Sequence, residues 1–206
     1  MVNYNQILPE LYVGSCPQAF DDIKSLKSCC GITAVLNLQT DEDLWERGLD
    51  WPALKAHYRN LHIHTQRIPM RDFDYDDQRR VLPKAVSALD TLLASGHTTY
   101  LHCNAGLGRS PLVAMAYLYW SRNLSVEKAI EHVEERRPCS SYEDLLEVSR
   151  QDLLRDDQVQ NRISQRASQL TRERRNQAGG PQGYWADAER EILREILGLT
   201  VQGMEG

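Results

Sequence analysis

The sequence predicts an α/β domain with a mostly parallel central sheet and helices on both faces. Short apolar segments typical of buried strands, at residues 34–39 and 98–102, alternate along the chain with segments of helical apolar spacing. The 206 residues, 41% of them hydrophobic and 26% charged, have the composition of one globular domain that can bury a core. Strands that alternate with helices favour parallel pairing through helical crossovers.

Three helices and two weaker strands complete the pattern in the first half of the chain. The helices are predicted at residues 19–30, 51–60 and 77–95, an edge strand at 11–14 and a weakly alternating strand at 62–67. Apolar residues recur at helical spacing, as Phe20, Ile23 and Leu26 do in the first helix. Gly96 ends the third helix. The polar residues 40–43 indicate a loop after the first strong strand.

The second half continues with helices. The strand at 98–102 leads into a mostly apolar helix over about 108–123. Ser125 has the position of an N-cap, and the helix that it begins ends at 136–138.

Composition divides the chain into three parts: an α/β domain at 1–157, a polar helix with a linker at 158–182, and C-terminal residues 183–206. The last part carries an amphipathic helix, the C-terminal helical extension of the fold. We expect it to dock on the domain through a set of apolar residues, namely Trp185, Ala188, Ile192, Ile196 and Leu199.

Charge and cysteine content exclude several classes of function. With 24 basic and 29 acidic residues the net charge is −5, which argues against a nucleic-acid or anionic-membrane binder. No apolar run approaches the roughly 18 residues of a membrane helix, and residues 1–6 lack signal-peptide character. Five cysteines do not suggest a disulfide framework, and neither they nor the histidines have metal-ligand spacing. We expect a monomer without metal or cofactor.

The segment HCNAGLGRS at residues 102–110 predicts a phosphate-binding loop. It lies where a strand ends and a helix begins, so that backbone N–H groups and the helix dipole favour an anion. Gly106 and Gly108 permit tight curvature, and the Arg109 guanidinium can hold two phosphoryl oxygens. The predicted phosphate-binding residues are Asn104, Ala105, Gly106, Leu107, Gly108 and Arg109.

Cys103 lies at the base of this positive loop and is predicted to be a nucleophilic thiolate. Ser110 can donate a hydrogen bond to its sulfur, and His102 completes the motif. A carboxylic acid must protonate the leaving alkoxide. The segment RDFDYDD at 71–77 supplies candidates, of which Asp72 is preferred and Asp74 is the alternative.

The motif at 102–110 resembles the active-site loop of cysteine-dependent, dual-specificity phosphatases. It more closely resembles the loop of glucan phosphatases, which remove phosphate from starch and glycogen. Further segments are similar to the plant Starch-Excess-Four and Like-Starch-Excess-Four proteins: residues 4–7, 13–18, 36–39, 71–74, 82–86 and 116–120. The resemblance spans residues 4 to about 155, and the helix from Trp185 resembles the C-terminal helix of the Like-Starch-Excess-Four type, which has no carbohydrate-binding module.

This resemblance implies a cysteine-phosphatase fold and a phosphorylated polyglucan substrate, in a cytoplasm or a plastid stroma. It also implies a groove in which glucose rings stack on aromatic faces. The candidates are Phe73, Tyr4, Trp45, Tyr75 and Tyr184. Two departures stand out: Ser110 replaces the Ala usual in the plant enzymes, and Glu46-Arg47 replaces a Tyr-Trp pair.

The sequence is also compatible with other functions. The same loop would serve a protein Tyr or Ser/Thr phosphatase, and an inactive protein could use it to bind a phospho-ligand or glucan. Cys16 or Cys139 could form a reversible disulfide with Cys103, although simple burial is the more common role of such cysteines.

Overall fold

A computed structural model describes residues 2–140, 142–174 and 180–200 of the chain. Five strands are defined within them: β1 (Tyr4–Leu8), β2 (Leu11–Gly14), β3 (Ala34–Asn37), β4 (His64–Arg67) and β5 (Thr99–His102). The helices of these residues are α1 (Phe20–Cys30), α2 (Asp41–Glu46), α3 (Trp51–Asn60), α4 (Tyr75–Ala94), α5 (Arg109–Trp120), α6 (Val126–Glu134), α7 (Glu143–Leu154), α8 (Asp157–Glu173) and α9 (Gly180–Leu197).

The strands form one sheet in the order β1-β2-β5-β3-β4. Four strands are parallel and β1 runs antiparallel to β2, so the predicted α/β class is confirmed. The prediction that residues 11–14 form an edge strand is wrong, because β1 covers that edge. The segment YNQIL of β1 escaped notice because Ile7 is its one buried residue.

The sheet register brings three strand ends together at one edge. Gly14 of β2 and Asn37 of β3 both pair with His102, the last residue of β5. The chain therefore leaves the central strand β5 at Cys103 with a strand end on either side. Crevices at the carboxyl ends of parallel strands are the usual ligand sites of α/β folds.

Two apolar layers hold the sheet. The smaller layer packs α1 and α3 on one face, through residues such as Ile23, Leu54 and Tyr58. The larger layer packs α4, α5, α6 and α7 on the other face. Every residue of α5 except Tyr119 is buried, which explains why its sequence is apolar all round.

Helix α2 was not predicted. Thr40 caps it: its Oγ1 accepts a hydrogen bond from the Asp43 N–H at 3.1 Å, while the Asp43 carboxylate accepts one from the Thr40 N–H at 2.8 Å. This reciprocal capping box begins a helix where polar composition alone indicates a loop. The assignment of residues 40–43 to a loop is therefore wrong.

Helices α8 and α9 pack on each other and on the domain. Ile163, Ala167 and Leu170 form a buried stripe on α8, which is therefore less solvated than its composition predicts. Ion pairs join the two helices, as between Arg174 and Asp187 at 2.7 Å. Thr200, which follows α9, is bound to the domain, since its Oγ1 donates to the buried Asp90 at 2.9 Å.

The predicted docking face of the last helix is partly corrected. Ala188, Ile192 and Leu199 are buried, whereas Trp185 and Ile196 are exposed. The predicted linker falls in part on residues 175–179, which lie outside the described residues, so the boundaries at 157 and 182 remain predictions. None of the described helices combines the length and apolar character needed to span a bilayer.

Candidate active site

Cys103 follows β5 directly and is buried. Its Sγ lies 3.4 Å from Oγ of Ser110 in the first turn of α5, so a hydroxyl faces the sulfur as the sequence predicts. His102 Nδ1 lies 3.1 Å from the Cys103 carbonyl oxygen, which makes this nitrogen the donor. Burial lowers the pKa of His102 to about 4, so the imidazole is neutral at neutral pH.

The loop at residues 103–109, hereafter the phosphate loop, turns its carbonyl groups toward the protein. The Asn104 carbonyl accepts from the Cys16 N–H at 2.9 Å and the Leu107 carbonyl from the Ser140 N–H at 3.1 Å. The N–H groups of residues 104–108 have no hydrogen-bond partner among the described residues. Five consecutive unpaired donors ahead of a helix form a nest for an oxyanion.

Gly106 is required by this curvature. Its φ is +74°, and a Cβ at this position would lie 2.4 Å from the carbonyl carbon and oxygen of Gly14. Only glycine allows the loop to turn left-handed and rest directly on the end of β2.

The Arg109 guanidinium is fully buried, and four of its five donors are engaged. Nη1 donates to Asp43 Oδ2 at 2.6 Å and to the Met70 carbonyl at 2.8 Å. Nη2 donates to Asp43 Oδ1 at 3.3 Å and to Asp72 Oδ2 at 2.9 Å. Nε has no partner among the described residues. The Nε edge is therefore the part of Arg109 that can receive a phosphoryl oxygen.

Asp43 is a site residue that the sequence reasoning missed. Besides Arg109, its carboxylate accepts from Thr40 and from Asn104 Nδ2, whose Oδ1 in turn accepts from Gln39 at 2.8 Å. Burial works against the charged form, but the hydrogen bonds from Arg109 and Thr40 outweigh it and hold the pKa of Asp43 below its usual value. The capping box at Thr40 was the available signal.

The same contacts act on Arg109. Burial alone would lower its pKa, but the hydrogen-bonded Asp43 and the nearby Cys103 and Asp72 outweigh burial and raise it. The guanidinium is thus a fixed cation whose orientation Asp43 sets from the end opposite Nε.

The acid loop, residues 71–74, separates the two acid candidates. Asp72 forms an ion pair with Arg109, and its side chain is 34% exposed at the mouth of the site. Asp74 is the N-cap of α4: its Oδ1 accepts from the Asp77 N–H at 2.9 Å. The Arg71 N–H donates to Asp77 at 2.8 Å, which anchors the loop to the helix. Asp72 is therefore the carboxyl group available near Cys103.

Three of the predicted aromatic residues are exposed on, or directly after, segments that contact Arg109. Phe73 is 93% exposed beside Asp72, and Trp45 is 81% exposed on α2, two residues after Asp43. Tyr75 is also exposed, at the start of α4. Phe73 has a φ of +56°, a strained conformation for a bulky residue, and such strain persists where the surrounding structure enforces it.

The other two aromatic candidates pack elsewhere. Tyr4 lies edge-on against Tyr12 and Tyr100, with centroids 6.0 and 6.4 Å away. Tyr184 is buried, and its hydroxyl donates to the Arg174 carbonyl at 3.0 Å. Burial argues against glucan stacking by Tyr184, whereas Tyr4 is half-buried and its role in glucan binding stays a prediction.

The candidate partner cysteines are both free. Burial raises the pKa of Cys16 and raises that of Cys139 to about 11. Both thiols therefore resist ionisation, which disfavours their attack on an oxidised Cys103. The disulfide stays an untested hypothesis.

This fold and this loop define the class of cysteine-dependent phosphatases. The family model described as "Dual specificity phosphatase, catalytic domain" matches residues 11–147. The chain belongs to the dual specificity phosphatase family.

Two curated relatives show where the chain stands within this family. It is 36% identical over 155 residues to the amyloplastic phosphoglucan phosphatase DSP4 of Castanea sativa, with 74% of this chain and 41% of that protein covered. It is 30% identical over 162 residues to laforin of Mus musculus, with 73% and 49% covered. The chain thus spans less than half the length of either relative.

Solved structures agree on the fold. The active form of Tk-PTP superposes with a TM-score of 0.56 at 22% identity, over 70% of this chain and 92% of that one. At this identity the likeness concerns the fold alone.

The pH dependence of stability tests the burial of His102. The unfolded chain binds a proton near the ordinary His pKa of 6.5, whereas folded His102 binds one only near 4. Stability should therefore fall as pH is lowered between these values, by about 2 kcal/mol from pH of about 7 to about 4.5. Urea unfolding, measured for wild type and His102→Gln across this pH range, should show that the stability of the variant falls less than that of wild type. Parallel curves would contradict the assignment.

Proposed function

We propose that this protein is a phosphomonoesterase that removes phosphate from glucans through a phosphocysteine intermediate. The observation that carries the proposal is the exposed aromatic surface beside the phosphate loop, formed by Phe73, Trp45 and Tyr75. Aromatic faces at a phosphate site suit a substrate with weakly charged, partly apolar sugar rings. Relatives named phosphoglucan phosphatases support the same substrate class.

In the first step the Cys103 thiolate attacks phosphorus in line with the leaving oxygen. A P–S bond forms, the P–O bond to the sugar breaks, and Asp72 gives its proton to the sugar oxygen. The N–H groups of residues 104–108 and the Nε edge of Arg109 hold the phosphoryl oxygens. Asp43 keeps the guanidinium in this orientation.

In the second step water attacks the phosphorus of phosphocysteine. Asp72 takes a proton from the water, the P–S bond breaks, and inorganic phosphate leaves. Ser110 donates a hydrogen bond to the sulfur as its negative charge returns, from the 3.4 Å distance at which it already lies. The cycle ends with the thiolate restored.

Asp72 must exchange partners during this cycle. Its carboxylate accepts a hydrogen bond from Arg109 Nη2, which neighbours the unpaired Nε. These two nitrogens form the edge of the guanidinium that a phosphoryl group would occupy. Substrate therefore displaces the carboxyl group from Arg109 and leaves it beside the leaving oxygen.

The substrate polymer and the setting are part of the proposal. We place the protein in a plastid or a cytoplasm, acting as a monomer without nucleic-acid or membrane partners. Protein dephosphorylation is the second candidate, since Dual specificity protein phosphatase 2 of Mus musculus is also a relative, 33% identical over 132 residues.

Phosphate release from solubilised phosphorylated amylopectin, measured beside release from phosphotyrosine and phosphothreonine peptides, tests the choice. We expect faster release from amylopectin at matched phosphate concentration, with Cys103→Ser as the blank. Brisk peptide turnover without amylopectin turnover would favour the second candidate. Absence of turnover on every substrate, p-nitrophenyl phosphate included, would favour a binding protein.

Replacing Phe73 with alanine should separate large from small substrates. Loss of a stacking face should lower phosphate release from amylopectin several-fold more than p-nitrophenyl phosphate hydrolysis, a difference of roughly 1 to 2 kcal/mol. Phe73→Tyr, which keeps the ring, should restore glucan activity.

The other phenylalanine of the chain provides a matched control. Phe20 is also exposed, but it belongs to α1 and stacks on His57 of α3 at a centroid distance of 4.3 Å. Phe20→Ala should leave the ratio of the two activities unchanged. Equal losses on both substrates in Phe73→Ala would mean that Phe73 only positions Asp72.

A further inference from the structure

Arg137 is a buried cation that the proposed mechanism does not use. It follows α6 and is 1% exposed. Its Nε donates to the Gly106 carbonyl, and its Nη2 donates to the Ala105 carbonyl at 3.3 Å. Its Nη1 donates to Asn3 Oδ1 at 3.1 Å and to Asn5 Oδ1 at 2.8 Å. The guanidinium thus joins the phosphate loop to the N-terminal strand β1.

All four acceptors are neutral. No carboxylate within the described part of the chain is paired with Arg137, unlike Arg109, which has two. Burial lowers the pKa of Arg137, and Tyr100, Cys103 and Cys139 act in the opposite direction. An arginine nevertheless keeps its proton in a protein. A buried charge without a fixed counterion is unfavourable unless an anion comes near, and the phosphate loop is where one would bind.

The carbonyl groups that Arg137 binds determine where two loop N–H groups point. In a trans peptide unit the C=O and the N–H face opposite directions. Holding the Ala105 carbonyl toward Arg137 therefore turns the Gly106 N–H away from it. Holding the Gly106 carbonyl does the same for the Leu107 N–H. Both belong to the unpaired donors of the nest.

We propose that Arg137 is a positioning residue of the phosphate loop: it holds two carbonyl groups so that the opposite N–H groups face the phosphoryl oxygens, and it adds an uncompensated positive charge behind the loop. The inference rests on the proposed phosphocysteine chemistry at Cys103 and is independent of the glucan substrate. Close packing adds to the constraint, since a Cβ on Gly106 would lie 2.6 Å from Arg137 Nη2.

Three variants separate the charge of Arg137 from its geometry. Arg137→Met removes both the charge and the donors. Arg137→Lys keeps the charge, but one ammonium group cannot bind both carbonyls and both asparagines. Arg136→Met is the matched control, because Arg136 is the exposed neighbour and its Nη1 lies 3.3 Å from Glu135.

Two readouts report on the loop itself. The first is inhibition of p-nitrophenyl phosphate hydrolysis by orthovanadate, which probes the oxyanion nest. The second is the ratio of the Cys103 alkylation rates by iodoacetate and by iodoacetamide, since the anionic reagent responds to local positive charge. All measurements are made below the melting temperature of every variant.

In Arg137→Met we expect the vanadate inhibition constant to rise about tenfold or more, and the iodoacetate to iodoacetamide ratio to fall several-fold. Arg137→Lys should weaken vanadate inhibition but keep the ratio near that of wild type. Arg136→Met should change neither. If Arg137→Met does not fold, Arg137→Lys alone decides the question through vanadate.

Vanadate inhibition unchanged in Arg137→Lys, or in a folded Arg137→Met, would overturn the proposal even if both variants melted at lower temperature. A purely structural role predicts that result. A wild-type protein that neither hydrolyses p-nitrophenyl phosphate nor binds vanadate would instead overturn the proposed phosphatase function.

Discussion

Replacing Cys103 with serine is expected to abolish phosphate release from every substrate while leaving the affinity for phosphate esters almost unchanged. A serine hydroxyl is a poor nucleophile at neutral pH without an adjacent base, and the neutral His102 donates to a carbonyl group instead. The N–H groups of the phosphate loop and Arg109 remain in place. The variant should therefore bind phosphate esters without hydrolysing them.

The measurement is initial-rate hydrolysis of p-nitrophenyl phosphate, together with the dissociation constant for a phosphorylated glucan. We expect a rate at the blank level and a dissociation constant within about threefold of wild type. Cys16→Ser is the control, since Cys16 is also buried beside the loop and binds it through its backbone N–H. Substantial turnover by Cys103→Ser would contradict the phosphocysteine mechanism.

Replacing Asp72 with asparagine should slow the first step, transfer of the phosphoryl group to Cys103, only where the leaving group needs a proton. We expect phosphate release from sugar phosphates and glucans to fall by roughly 10² to 10⁴, because an amide cannot protonate the alkoxide. The first-step release of p-nitrophenolate, measured as a pre-steady-state burst, should be nearly spared, since p-nitrophenolate leaves without a proton. Steady-state turnover does not isolate this step, because hydrolysis of phosphocysteine also uses Asp72 as base. The variant should also bind orthovanadate at least as well as wild type, because it removes a carboxylate that lies on Arg109 Nη2.

Asp74→Asn provides the comparison for this result. Asp74 caps α4 through one side-chain oxygen, and asparagine caps a helix about as well as aspartate, so this variant should keep nearly wild-type stability and should not discriminate between leaving groups. If Asp74→Asn shows the discrimination and Asp72→Asn does not, the acid is Asp74.

The fold class could be predicted because its signals are local. Apolar strands at residues 34–39 and 98–102 and helices with apolar spacing indicate the parallel sheet directly. Strand β1 and helix α2 could not be found in this way. β1 has one buried residue and is defined by its pairing with β2, while α2 is short and begins at a capping box in a polar segment.

The candidate site likewise contains residues that a local motif identifies and residues that only the tertiary structure brings in. Cys103, Arg109 and Ser110 lie in one continuous motif, and Asp72 follows a strand that ends at the same edge of the sheet. Asp43 and Arg137 contact the phosphate loop from distant segments. The capping box marks Asp43 only as part of a helix start, and no motif marks Arg137.

Aromatic residues were the least predictable part. Phe73, Trp45 and Tyr75 are exposed near the site, whereas Tyr184 is buried and Tyr4 is half-buried against other rings. A ring in a sequence favours burial as much as binding, and only the tertiary structure distinguishes the two.

The most direct test of phosphocysteine catalysis on a glucan is to identify the phosphorylated residue during turnover of a phosphoglucan. Ser110→Ala should slow hydrolysis of the intermediate, so the variant is mixed with phosphorylated amylopectin, quenched rapidly and examined by peptide mass spectrometry. The phosphocysteine mechanism predicts one phosphoryl group on the peptide that carries Cys103, and none in Cys103→Ser. Phosphate release from amylopectin without phosphorylated Cys103, or labelling by p-nitrophenyl phosphate but never by amylopectin, would contradict it.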